Sequence, residues 1–388
     1  MAQDTAQNAP RISLPERDRR YAAIRAQLKD RGLDGVLASG SNLFYLTNGL
    51  PGERNGLLPT REEALMVAVN GRHLADLPAQ VVIDSQEWVK DVRPGNDATP
   101  IIDRIRELHL EKSAIGITEP EIGHAFFMQL RSALPDARFV DVSYIFANLR
   151  TIKSDEEVAM IEQANRVFDA GIDAVYEVAR PGMLGVNVVQ EGIRAMWAAG
   201  GDLDSTFGFT FGAVPKQNPV LAHLSKSRRI AEGDIGTLTA HAHYGQYGGH
   251  SDQEISFGEP KKLHRDMFGA VLHVRDEVLK QVRAGVTQGD LQETYQRACR
   301  ETGFNASPHS QMHQYGIDVP EFPGPAFKAP GERARNFVLA SGMIYSISPT
   351  LVAPGADDTL LGGTSLVVTE TGYRELGDRK VELLVAKG

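Results

Sequence analysis

Apolar and polar positions along this chain repeat with two different periods, and the order of those periods divides it into two parts. The first part opens on a helical pattern, ERDRRYAAIRAQLKDRG, stopped by Gly32. Two short apolar runs follow, DGVLAS and NLFYLTNG, and both read as strands. A strand in ALMVAVNG, a helix from about Thr99 to Leu110, a strand in AIGITE, a helix ending near Leu134 and a strand in RFVDVS complete this part. Strands and helices in turn imply an α/β domain around one central sheet.

The second part begins at Arg150-Thr151-Ile152-Lys153-Ser154-Asp155-Glu156-Glu157, where Ser154 or Asp155 is placed to cap a long amphipathic helix, VAMIEQANRVFDAGIDAVYEVA. That helix stops at Arg180-Pro181-Gly182, and a second runs from about Val186 to Ala199. Two strands joined by a turn are expected in GDIGTLTAHAHYGQYGGHSDQEISFG. A long helix (LHRDMFGAVLHVRDEVLKQVRAG), a shorter one around Gln288 to Thr302 and a strand-rich end from Met343 to Val385 follow. Two helix pairs, each set off from strands by a Pro-Gly or Ala-Gly turn, point to an internally duplicated α+β domain.

Length and composition narrow the function classes. At 388 residues, two domains are expected, and 42% hydrophobic with 23% charged residues is globular usage. A net charge of −9 argues against nucleic acid or an anionic membrane as the main partner. The chain has no apolar run long enough to span a membrane. MAQDTAQNAP lacks a basic start and an apolar core, so residues 1–12 read as a disordered leader and the location as cytoplasmic. Cys299 is the single cysteine, which excludes internal disulfides and thiolate-rich metal sites; in its helical setting it reads as structural.

The chemistry concentrates in the predicted two-strand segment. Strand side chains alternate faces, so His241 and His243 share one face of the first strand, His250, Asp252 and Glu254 share one face of the second, and one hairpin brings the five together. Eight of the eleven histidines lie between His223 and His313. Histidines on strands are often plain surface or core residues, but burying several titratable groups together is costly without a task. No nucleophile elbow, phosphate-binding glycine loop or dinucleotide fingerprint is present.

Eight phrases resemble, in order and spacing, the creatinase and Xaa-Pro dipeptidase (prolidase) family. They are GLDGVLASGSNLFYLTNG, RTIKSDEEVAMIEQAN, ARPGM, HLSKSRRIAEGD, GHSDQEISFG, HQYGIDVPEFPG, SGMIYSISP and LVVTETGYREL. The resemblance implies a creatinase-like α/β N-terminal domain over residues 13–150 and an α+β pita-bread catalytic domain over residues 151–388.

Aminopeptidase members resemble one another in a dimetal site of two Asp, one His and two Glu. Matched residue by residue, the second Asp is Asp252 and the His is His313. The first Asp falls on Thr239 counted from Gly233-Asp234, or on His241 counted back from Asp252, because this hairpin is longer. The first Glu position holds Ser348 and the last falls near Gly363 in LLGGTSLVV; the His of the usual His-Glu pair is Pro320, ahead of Glu321. Two divalent ions need bridging carboxylates, so this pattern argues against a dimetal centre. No cofactor is expected; the alternative is one divalent ion on His241, Asp252 and His313.

Creatinase looks like the metal-free branch, and two of its catalytic positions match here. His223 in HLSKSRRIAEGD takes the place of its proton-carrying histidine, and Glu254 takes that of its strand glutamate. The glutamate that creatinase uses on its guanidinium-type substrate falls on Ser348, which makes creatine a doubtful substrate.

The expectation is therefore a metal-independent hydrolase of a C–N bond in a small amide, amidine or amino-acid-like molecule. His223, Glu254, His313 and Asp252 would be catalytic, and Arg54, Tyr315, Glu321, Phe211 and Ser348 substrate-binding. A lyase on the same scaffold, with proton abstraction and C–C, C–O or C–S cleavage, is one alternative. A non-catalytic peptide-binding module is another. The family layout further implies a homodimer whose site is finished by Arg54 of the Gly-rich loop LPGERNGLLP.

Overall fold

The structure is a computed structural model that describes residues 9–49, 53–61, 63–70, 86–118, 122–211, 227–307, 311–321, 335–355 and 358–387. Most of the expected leader over residues 1–12 lies outside the described residues. The chain divides into two compact units, Ile12–Arg150 and Thr151–Gly388.

In the first unit, α1 (Leu14–Lys29) starts at Ser13, whose hydroxyl accepts from the Glu16 N–H. A six-stranded sheet follows from β1 (Gly35–Ser39), β2 (Glu53–Pro59), β3 (Met66–Asn70), β4 (Asp91–Gly95), β5 (Ala114–Ile117) and β6 (Arg138–Asp141), in the order β4-β3-β2-β1-β5-β6. The other helices are α2 (Gly40–Thr47), α3 (Thr99–Glu107), α4 (His124–Ala133) and α5 (Ser143–Thr151). Ile101, Ile102 and Ile105 of α3 bury against Leu37, Leu57 and Ile115 of the sheet.

Two expectations fail in this unit. NLFYLTNG, read as a strand, is the body of α2, ended by Asn48 in the left-handed region at φ 55°. Its apolar run is too short to separate the two periods, and the burial of Leu43, Leu46 and Thr47 at helical spacing decides for helix. Arg54, placed in an extensible Gly-rich loop, has its backbone in β2 at a register shift between Glu53 and Asn55.

In the second unit, α6 (Asp155–Val178) starts at a capping box formed by Ser154 and Glu157. It pairs with α7 (Gly185–Ala198) over a sheet of β7 (Thr206–Phe211), β8 (Ile235–Tyr244), β9 (Tyr247–Ser256) and the C-terminal β17 (Leu383–Val385), in the order β17-β9-β8-β7. A second helix pair, α8 (Lys262–Leu279) and α9 (Gln288–Thr302), packs on the remaining strands. These are β10 (Asn305–Ala306), β11 (Gln311–Gln314), β12 (Ile344–Ser348), β13 (Thr350–Val352), β14 (Thr359–Leu361), β15 (Thr364–Val368) and β16 (Tyr373–Glu375). They form two small sheets, β11-β12-β15-β16 and β10-β13-β14. Cys299 lies buried in α9, its thiol pushed up to about 11 by burial, as a packing residue would be.

Among the described residues no helix is long and apolar enough to cross a membrane.

Candidate active site

The site is built on the β8–β9 hairpin. Its two-residue turn, Gly245-Gln246, has positive φ at both positions (52° and 65°), the geometry of a type I′ turn. That turn sets Thr237 opposite Glu254, Thr239 opposite Asp252 and His241 opposite His250. All six project to one face, because paired strand residues point the same way.

Asp252 has both oxygens engaged. Thr239 donates its hydroxyl to Oδ1 at 2.7 Å, and Ser348 donates to Oδ2 at 2.9 Å. Gly363 closes the same spot: a Cβ there would lie 2.6 Å from Ser348 Oγ and 2.9 Å from the Asp252 backbone nitrogen. Burial raises the Asp252 pKa, and the two hydroxyls oppose that shift.

Glu254 is fully buried. Its Oε1 accepts from the Thr237 hydroxyl at 2.8 Å and from the Leu361 N–H at 3.1 Å, while Oε2 has no partner among the described residues. Burial pushes its carboxyl up to about 8, which favours the protonated form at neutral pH.

Three imidazoles form a stack. His250 lies 4.7 Å from His241 and 5.3 Å from His313, at ring angles of 24° and 29°. The Nδ1 atoms of His250 and His313 meet the carbonyls of Ala240 and Gln314 at 3.3 and 3.1 Å. Burial lowers all three, to about 3 for His250 and about 4 for His313. Burial thus favours the neutral form of each ring.

The other expected residues lie in varied settings. His223 falls in 212–226, outside the described residues, and nothing is described of the Phe211 and Arg54 side chains. Phe207 and Phe209, on the same strand as Phe211, are core residues; Phe209 packs edge-on to Phe257 at 5.9 Å. Tyr315 is fully buried, accepts from Asn165 Nδ2 at 3.1 Å and stands edge-on to His250. Tyr247 donates to Glu157 at 3.2 Å. Glu321 meets buried Lys153 at 2.7 Å and accepts from the N–H groups of Ile317 and Asp318.

Sequence reasoning assigned no task to Thr237 or His250. The signal for both was the hairpin register: once the turn is set at Gly245-Gln246, alternation from Asp252 and Glu254 leads to each.

Comparison with known proteins agrees with this architecture. Residues 20–152 match the creatinase/prolidase N-terminal domain, and residues 159–373 match metallopeptidase family M24. An Xaa-Pro dipeptidase of Pyrococcus horikoshii is 21% identical over 359 residues, 91% of this chain and 95% of that protein. A creatinase of a Bacillus species is 24% identical over 390 residues, 95% of this chain and 92% of that protein. An X-Pro aminopeptidase structure from Thermotoga maritima superposes with a TM-score of 0.79 at 18% identity, covering 94% of this chain and 99% of that one. The prolidase structure from Pyrococcus horikoshii gives 0.77 at 20% identity, covering 94% and 99%. The expected two-domain architecture with a pita-bread second domain is thus the observed one, and the chain belongs to metallopeptidase family M24, with a creatinase/prolidase N-terminal domain.

Proposed function

We propose that the chain is a hydrolase that cleaves a C–N bond in a small amide, amidine or amino-acid-like molecule without a pair of metal ions. Its relatives include a dipeptidase and a creatinase, both hydrolases of C–N bonds. The observation that carries the metal-free reading is Asp252, whose two oxygens accept hydrogen bonds from the Thr239 and Ser348 hydroxyls.

The family's name implies metal ions, and the donor set here does not fit a pair of them. Bridging carboxylates must cancel the repulsion between two divalent ions and hold the bridging hydroxide. The matching positions offer Thr239 or His241, Ser348 and Gly363, and the space beside Gly363 is filled by Ser348 and the Asp252 backbone. One ion on His241, Asp252 and His313 also fits poorly. Tetrahedral ligands must converge, whereas rings stacked as His241 on His250 and His250 on His313 are near parallel. Among the described residues no three His, Cys, Asp or Glu groups gather as a metal set.

In this reading His223 takes a proton from the attacking water as its oxygen bonds to the substrate carbon. It then gives that proton to the leaving nitrogen as the C–N bond breaks. Glu254, holding its own proton, is a neutral hydrogen-bond donor for charge that develops on the substrate. Asp252, fixed by two hydroxyls, and His313, fixed through Nδ1, orient substrate and water.

The test is a hydrolysis panel of N-acyl amino acids, primary amides, amidines and dipeptides, run with and without a chelator and paired with elemental analysis. Turnover that survives chelation, with less than one divalent ion per chain, is expected. Two tightly bound ions per chain, or activity abolished by the chelator and restored by metal, overturns the proposal.

A further inference from the structure

His250 has one nitrogen satisfied and one not. Its Nδ1 lies 3.3 Å from the Ala240 carbonyl, which can only accept, so that contact holds the ring proton on Nδ1. Nε2 is then a lone pair, and it is buried without a partner among the described residues. The residue is 4% exposed. Buried acceptors are nearly always paired in a working protein, so a donor is called for.

Among the described residues the neighbouring groups do not supply one. The Thr239 and Ser348 hydroxyls are committed to Asp252, and the Thr237 hydroxyl to Glu254. His241 and His313 stack on the ring and cover its faces, and Tyr315 stands against it at 6.4 Å. Stacking covers the faces of the ring and leaves Nε2 on its edge, in one orientation. His241, next in the stack, is half-buried, so the cluster is accessible on its side.

We propose that His250 Nε2 accepts a hydrogen bond from an N–H group of the substrate, so the site selects secondary or primary amide-type nitrogen over tertiary. The inference rests on the hydrolase reading above and narrows its substrate class. It sets this chain apart from the Xaa-Pro dipeptidases it resembles, because the nitrogen of an Xaa-Pro bond carries no hydrogen. An acceptor that meets an N-alkylated nitrogen is left unpaired, and unpaired buried polar groups are the strongest source of discrimination between near-isosteric ligands.

The experiment uses the full chain labelled with ¹⁵N at histidine, at one neutral pH, titrated with N-methylacetamide and then with N,N-dimethylacetamide. The expected spectrum shows His250 protonated at Nδ1, with an Nε2 signal that moves with N-methylacetamide and not with its dimethyl analogue. His250→Phe keeps a flat ring and removes both nitrogens; N-methylacetamide should bind it about tenfold more weakly. His250→Gln, which returns an acceptor near the Nε2 position, should recover most of that loss. A proton on Nε2, an equal response to both amides, or no response to either overturns the proposal. So does an Nε2 signal that moves when a chelator strips a bound ion. Failure of the hydrolase reading shows separately, as intact N-methylacetamide binding with no turnover on any substrate of the panel.

Discussion

Ser348, the last residue of β12, donates its hydroxyl across 2.9 Å to Asp252 in the middle of β9, and so ties two sheets together at the candidate site. Where a metal-binding relative is expected to carry a carboxylate, this chain carries a hydroxyl that serves the neighbouring carboxylate. The bond favours the charged form of Asp252 against the pull of burial.

Ser348→Ala should therefore raise the pKa of Asp252 further. If Asp252 works ionised, the acid limb of the pH–rate profile moves to higher pH, and Thr239→Val moves it the same way. An unmoved acid limb in both variants shows that Asp252 does not titrate in the working range.

Gly363→Ala should destabilise the second domain by about 1–3 kcal/mol, as overpacking does. The new methyl would sit 2.6 Å from Ser348 Oγ and 2.9 Å from a backbone nitrogen, and the backbone atom cannot swing aside. Pairing it with Ser348→Ala should recover only part of the loss, since the backbone contact persists. Urea unfolding of the three variants checks the order.

Glu254 makes stability depend on pH with a definite sign. Its folded pKa of about 8 stands above the ordinary carboxyl value of 4.5, so between those limits the folded state holds a proton that the unfolded state has lost. This contribution is full below pH 4.5 and is lost as pH rises through 8. Glu254→Gln lacks it. The melting temperature of the wild-type protein minus that of Glu254→Gln should fall from pH 5 to pH 8. A difference that stays flat or grows refutes the assignment. The comparison also removes the opposite trend from His250 and His313, whose lowered values favour the folded state as pH rises.

Lys153→Met should cost about 3–5 kcal/mol, because it removes the buried ammonium that faces the buried Glu321 carboxylate. Adding Glu321→Gln should return part of that. The double variant should keep its KM for substrate if Glu321 braces the loop after β11, whereas a raised KM with unchanged stability assigns Glu321 to the substrate.

Much of the second domain was legible because its signals are local. Ser154 with Glu157 marks a helix start, and alternation along TLTAHAHY and GHSDQEIS marks strands whose faces can be counted. NLFYLTNG was not legible: eight residues of mostly apolar character fit either period, and tertiary burial chose. The hydroxyl pair on Asp252 was half legible. Ser348 could be placed by its phrase, but its bond to Asp252 depends on how β12 meets β9, a long-range fact. The histidine stack belongs to the same class, since His250 and His313 come from different sheets.

The hairpin's geometry also constrains how such a site changes over generations. Side chains alternate from a turn fixed at Gly245-Gln246, so one residue inserted between Thr237 and the turn would send Thr237 and every strand position before the insertion to the far side. An insertion of two would slide those groups along the strand and keep them inward. Thr239 and His241, the two positions that counting from either end assigns to the missing first aspartate, are separated by that even step. Length changes here are tolerated in pairs, and descendants of this chain should differ in the hairpin by zero or two residues far more often than by one.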